Sequence, residues 1–488
     1  MRLTIKLMSI IGIMSISTNV WACTGFVAGK DITADGSIMI GRTEDIGSAY
    51  NKNYIVVPAV GYQENVYFED LNGFKYPMPT STYKYTMLPD VEEHGDGVYA
   101  SAGINEMGVA MTATVSAAIN DDVKMYDPLV KEGLREAAIP SVILPQAKTA
   151  KEGVELLGAI VEEYGSKEGN IILFADQNEA WYMEILSGHQ WVAVKVPDDK
   201  YAVIPNAFML GYVDLEDTEN VLSSPDVINL PKQNGFLKEY EGQFHLALTY
   251  GDELQHYNRS RAWGGQHFFS PSQEIAYDVE VFDLFMTPDD KIELQEVMDL
   301  QRYRYEGTDI DANKNKEVRA IGTERQAECH IIQMREDYPK GIDGLMWLAM
   351  GNAEHSVYLP TYGIIQDTHE AYKVPGTEYN QDAAYWSFRG LSALAEIDRE
   401  NYGAGVRDFW KEYEHQLIQI QKETDEHFIE LYNQNPQEAK ETATDLGILI
   451  AGDAINQADD MYAQLMTLIS KQAGSTPSKQ FVPDNYND

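Results

Sequence analysis

Cysteine is nearly missing from this chain: its 488 residues hold two, Cys23 and Cys329. Two thiols allow one disulfide at most, and neither sits in a CxxC pair of the metal-binding kind. Basic residues are scarce as well, 37 Lys and Arg against 77 Asp and Glu, for a net charge of −40. Such a chain repels nucleic acid and anionic lipid, which argues against both as partners. The acids are spread along the sequence and not gathered in a tail, so they read as solvated surface and say little about substrate. The P-loop, the Rossmann glycine pattern and HExxH are all absent. The histidines are scattered, and none is assigned to a metal. Long apolar runs are lacking too. Leu7 to Ile16, broken by Ser and Gly, is too short to span a bilayer, and no other stretch reaches membrane-spanning length.

That short run has a different meaning. Arg2 and Lys6 precede it without an acid, and Val20-Trp21-Ala22 follows, with small residues at −3 and −1. This is the pattern of a secretory leader over residues 1–22. The expectation is export to the periplasm or the extracellular space, with no membrane span. Removal of the leader leaves 466 residues, with 35 basic residues against 77 acidic and a net charge of −42. It also makes Cys23 the first residue.

Downstream, Cys23 to Gly29 and Ser37 to Thr43 read as strands around a turn at Asp35-Gly36, which sets Cys23 roughly opposite Arg42 to Asp45. Gly103 to Gly108 reads as a turn before an extended run, Val109 to Ser116. Thr149 to Glu152 is a capping box opening a helix with Val154, Leu157 and Val161 on one face. A meander of short strands follows between Ile171 and Ile204. From Leu391 to about Lys471 the periodicity is helical. Ser475 to Asp488 reads as a loose tail. Strands and helices in separate runs indicate an α+β fold with mostly antiparallel sheets. The expected organisation is a catalytic domain over 23–390, a helical extension over 391–474, and the tail over 475–488.

A cysteine directly after a leader cleavage point has two sharp readings. One is a lipid-anchor site on a binding protein without turnover. The other is a nucleophile whose own α-amine acts as base. A free α-amine has a pKa of about 7.7–8.0 and can take a proton near neutrality. The thiolate it generates is the reactive form. Trp21 is bulky for a lipid-anchor motif, and the strand begins at once, leaving no tether. The nucleophile reading is therefore preferred, both to the anchor and to a cysteine that merely packs in a first strand.

The residues now carry a resemblance. Cys23-Thr24-Gly25, Asp35-Gly36-Ser37 and Gly41-Arg42-Thr43-Glu44-Asp45 resemble the opening of the Ntn-hydrolase dipeptidases of the dipeptidase A type. More distantly they resemble penicillin V acylase and bile salt hydrolase. The resemblance continues in order through Ala180 to Glu184, Gly188 to Ala193, Val203 to Asn206, Asn258 to Trp263, Glu328 to Gln333, His355 to Pro360 and Trp386 to Arg389. It implies an αββα sandwich of two antiparallel sheets between helical layers, a dipeptide substrate, and no metal or organic cofactor. Self-association into a homo-oligomer is left open.

Position by position, the resemblance makes Cys23 the nucleophile and Arg42 the cation beside its sulfur. Asp45 orients the amine, and Asn206 helps bind the oxyanion. Arg261 matches a later active-site arginine, with Arg259 a near alternative. Thr114 is the candidate for a second oxyanion-side residue within Thr112 to Ser116, where the acylase branch has asparagine. Simpler readings stand beside these. Arg42 and Asp45 would read as a surface ion pair were Cys23 not nearby, Asn206 reads also as a turn residue, and Arg261 as a structural arginine stacked near Trp263. Cys329 and His330 are adjacent on a strand and point to opposite faces, so they make a poor dyad.

Overall fold

The computed structural model describes residues 22–47, 49–473 and 480–484. The leader call therefore falls outside the described residues, except for Ala22, as do 474–479 and 485–488. In chain order the strands of the two large sheets are β1 (Ala22–Ala28), β2 (Ile38–Asp45), β3 (Ala102–Ile104), β4 (Ala110–Ala117), β5 (Gly169–Ala175), β6 (Ala180–Ile185), β7 (Trp191–Lys195), β8 (Tyr201–Ile204), β9 (Val221–Ser223), β10 (Gln326–Met334), β11 (Gly344–Met350) and β12 (Leu359–Tyr362). One sheet runs β8-β1-β2-β10-β11-β12 and the other β9-β7-β6-β5-β4-β3. All these neighbours pair antiparallel. Strands β1 and β2 lie against β4 and β5 of the other sheet.

Strands β2, β5, β6, β10 and β11 are buried at every residue. This explains their weak polar–apolar alternation, because neither face meets water. It also makes β2 unusual, since its buried residues include Arg42, Glu44 and Asp45. The turn before β2 forms as its residues dictate. Gly36 takes φ 75°, and Asp35 Oδ1 accepts from the Ser37 N–H at 3.0 Å.

The main helices are α1 (Ala150–Tyr164), α2 (His256–Phe269), α3 (Leu294–Arg302), α4 (Ala384–Ala395), α5 (Gly403–Gln434) and α6 (Pro436–Gln472). Helix α1 covers β5 and β6, α2 contacts β8, α3 contacts β10, α4 contacts β11, and α5 and α6 contact β12. The cap of α1 is half of the expected box. Thr149 accepts from the Glu152 N–H, but the Glu152 carboxylate reaches the N–H of Lys148 and not that of Thr149. The helical region also starts earlier than expected. Tyr385, Phe388 and Leu391 are buried on one face of α4, so the boundary at 390/391 falls inside a helix. Aromatic residues, which favour strands, masked that spacing. Asn435 caps α6, and Pro436 occupies its first turn, where a missing N–H costs nothing. The loose tail is corrected at 480–484. Phe481 is buried, and its N–H donates to the Asn401 carbonyl. A lone aromatic side chain gains enough by burial to dock an otherwise polar segment.

Candidate active site

Cys23 sits near the start of β1, directly opposite Glu44 of β2, within the stretch expected from the sequence. Side chains alternate along strands, and paired residues share a face. Arg42 and Glu44 of β2, and their partners His330 and Glu328 of β10, therefore lie on the same face as Cys23. This face looks toward the second sheet: beside Cys23, Gly25 abuts Val115 of β4. Asp45 and Cys329 belong to the opposite face. Both cysteines are unpaired and buried, so the one possible disulfide is not formed.

Arg42 and Asp45 are not an ion pair, on the surface or otherwise. Both are buried, and they point to opposite sides of β2. Arg42 Nη2 lies 3.0 Å from Glu44 Oε1 and 3.8 Å from Glu328 Oε1. Burial alone would lower the pKa of this guanidinium, but Cys23, Glu44 and Glu328 together raise it, so its charge is secure. Glu44 is held in turn by Lys52 at 2.6 Å, and Lys52 by Asp90 at 2.9 Å. His330 bridges the sheets, with Nδ1 2.9 Å from Glu328 Oε2 and Nε2 2.9 Å from Thr112 Oγ1.

Asp45 Oδ2 accepts from Arg319 Nη2 at 2.7 Å, while Oδ1 has no close hydrogen-bond partner among the described residues. Burial raises the pKa of this carboxyl, against the lowering pull of Arg319 and Arg261. An oxygen so placed is costly unless a donor arrives.

Asn206 directly follows the Ile204-Pro205 end of β8. Its Oδ1 accepts from the Cys23 N–H at 2.9 Å and from Arg261 Nη1 at 2.9 Å. Arginine only donates, so the side-chain oxygen faces the cysteine. Nδ2 donates to the Ser116 carbonyl at 2.8 Å. Asn206 is thus more than a turn residue, and what it offers Cys23 here is an acceptor.

Arg261, on α2, is fully buried and reaches the Cys23 carbonyl through Nη1. Its Nη2 donates to Asn258 Oδ1 and its Nε to the Tyr257 carbonyl. Arg259 instead donates to the carbonyls of Tyr277 and Val279, away from the thiol. The structure thereby separates the two candidates. Burial and the charge of Arg319 bring the Arg261 pKa down to about 10. Thr114 lies on β4 at a register shift between Ala113 and Val115, and its side chain is outside the described residues.

Cys23 as a residue is 7% exposed. Burial pushes its thiol up to about 12, with Asp45 and Glu44 adding to the rise and Arg42 opposing it. This rise opposes thiolate formation.

Several residues of this network were missed from sequence. Glu44 stood within the motif and received no role, although a charge inside an apolar strand was a usable signal. Glu328 and His330, two residues apart on one face of β10, were another. Lys52 and Arg319 lie in loops and carried none.

Comparison with known proteins makes this chain a cysteine-type peptidase. The chain belongs to Peptidase family C69, whose model matches residues 22–412. It is 38% identical over 496 residues to a protein of Streptococcus pyogenes serotype M1 named "Probable dipeptidase B", covering 98% of each chain. It is 35% identical over 395 residues to a "Probable dipeptidase" of Latilactobacillus sakei, covering 78% of this chain and 82% of the other. A "Probable dipeptidase" of Salmonella dublin is 37% identical over 351 residues, covering 70% and 81%. Among solved structures, a mutant conjugated bile acid hydrolase from Clostridium perfringens matches at 14% identity and a TM-score of 0.29, covering 70% of this chain and 92% of that one. That likeness is too slight to reason from.

Proposed function

We propose that this protein is an exported cysteine dipeptidase, active once residues 1–22 are removed and Cys23 carries a free α-amine. The observation that carries the reading is the environment of the Cys23 nitrogen. It meets Asn206 Oδ1 at 2.9 Å, in a site that also holds the Arg42 and Arg261 guanidinium groups and an under-satisfied Asp45 oxygen. These are acceptors and charges suited to an amine and a thiolate. The names of the relatives support dipeptides as substrates. Helices outside two facing sheets fit the αββα layering.

In the mechanism, the α-amine takes the Sγ–H proton, and the thiolate forms a bond to the scissile carbonyl carbon. The negative charge on the carbonyl oxygen is met by the second Asn206 Nδ2 proton and a backbone N–H. Collapse breaks the C–N bond, and the departing amine takes the proton held by the Cys23 ammonium. Water then hydrolyses the thioester and restores the thiol. Asp45 Oδ1 accepts a hydrogen bond from the amine. Arg261 holds Asn206 and the Cys23 carbonyl in register, and Thr114 stays a candidate on the oxyanion side. A lipid anchor fits poorly, because Cys23 is buried in a strand of a continuous sheet.

Unblocked dipeptides should be hydrolysed, while penicillin V, bile salt conjugates and acyl-homoserine lactones should not. Hydrolysis confined to the second group would replace this reading by an acylase. Cys23→Ala should abolish turnover and Cys23→Ser greatly reduce it, with an unchanged melting curve. Retained activity in Cys23→Ala would refute the nucleophile.

A further inference from the structure

We propose that Glu136, supported by Glu168, binds the free α-ammonium group of the substrate and thereby makes the enzyme a dipeptidase and not a general amidase. The inference rests on the dipeptidase reading above. In a dipeptide the α-amine is two bonds from the attacked carbonyl carbon, so whatever recognises it must flank Cys23. Glu136 is connected to that position by a short chain of hydrogen bonds. Its Oε2 accepts from Ser116 Oγ at 2.8 Å, the Ser116 carbonyl accepts from Asn206 Nδ2, and Asn206 Oδ1 accepts from the Cys23 N–H.

Exposure distinguishes Glu136 from the other charged groups here. Arg42, Glu44, Asp45, Lys52, Arg261 and Glu328 are all sealed from solvent. Glu136 and Glu168 are half-buried. They are also adjacent, with the Glu136 N–H donating to Glu168 Oε2 at 3.2 Å. The nearest arginine in sequence, Arg135, is turned to Asp70, which it grips through Nε and Nη2 at 2.7 and 2.6 Å. Burial and the charge of Glu168 push the Glu136 carboxyl up to about 8, with Arg42 opposing. The repulsion that Glu168 exerts on the Glu136 carboxylate is relieved by a cation docked beside it. The Tyr99 hydroxyl, which also donates to Glu136, fixes the carboxylate orientation.

The test compares Glu136→Gln with the parent, in the mature chain, on a dipeptide and on the same dipeptide lacking its α-amine. Loss of a charge-assisted contact should lower kcat/KM on the dipeptide about 10- to 100-fold, mostly through KM. On the amine-free analogue the change should stay within about twofold. If the parent leaves the analogue uncut, its Ki as a competitive inhibitor supplies the comparison and should be unchanged. Glu136→Asp should fall between. A parallel loss on both compounds, or no loss on the dipeptide, would overturn the proposal. Failure of the parent to cleave any unblocked dipeptide would instead sink the dipeptidase reading.

Discussion

Burial pushes the Cys23 thiol up to about 12, so on the proposed reading it stays dormant while Ala22 remains attached. Iodoacetamide should therefore label the intact chain slowly, with a rate that climbs only toward pH 12. After removal of residues 1–22 the α-amine lies beside the sulfur, and labelling at pH 7 should accelerate by orders of magnitude. Equal rates in the two forms would contradict amine activation. Lys52 illustrates the cost of the charges around the site. Burial alone would lower its pKa, but Asp90 and Glu44 raise it, so it stays charged between two carboxylates. Lys52→Met would leave both acids buried without their cation and should cost about 3–5 kcal/mol in chemical denaturation. A cost under about 1 kcal/mol would show that water already reaches the cluster.

Among elements, the β1–β2 hairpin is the one the sequence exposes most fully. Its pairing is local, its turn is written in Asp35-Gly36, and its charged residues follow one another in β2. This is why Cys23, Arg42 and Asp45 were legible. Strand β10 was not legible as the hairpin's neighbour, since Glu44 and Glu328 meet across nearly the whole catalytic region and no local pattern records such a pairing. The contrary faces of Arg42 and Asp45 were hidden for a related reason. An i, i+3 pair suggests proximity on a helix, but in a strand an odd spacing separates them. Helix α1 shows how packing constrains an element. A Cβ at Gly158 would lie 2.2 Å from the Trp191 ring. Gly158→Ala should therefore lower the melting temperature, although alanine is the better helix former by about 1 kcal/mol. A rise would mean that Trp191 moves freely.

At the scale of the molecule, no helix among the described residues is long and apolar enough to cross a membrane. The acidic composition read from the sequence gives no hint of the site, which is built around two buried arginines brought from β2 and α2. Arg261 joins Cys23 only because α2 packs on β8, the other neighbour of β1. Composition cannot encode that arrangement. On the proposed reading, leader removal would link export to activation, as one cut would both release the protein and create its base. Intact mass of the catalytically active form, read together with its activity, tests this most directly. The expected result is a chain of residues 23–488 with an unmodified Cys23, inactivated when one alkyl group is added to that thiol. Full activity in a chain that still carries Ala22, or a diacylglyceryl adduct on Cys23, would contradict it.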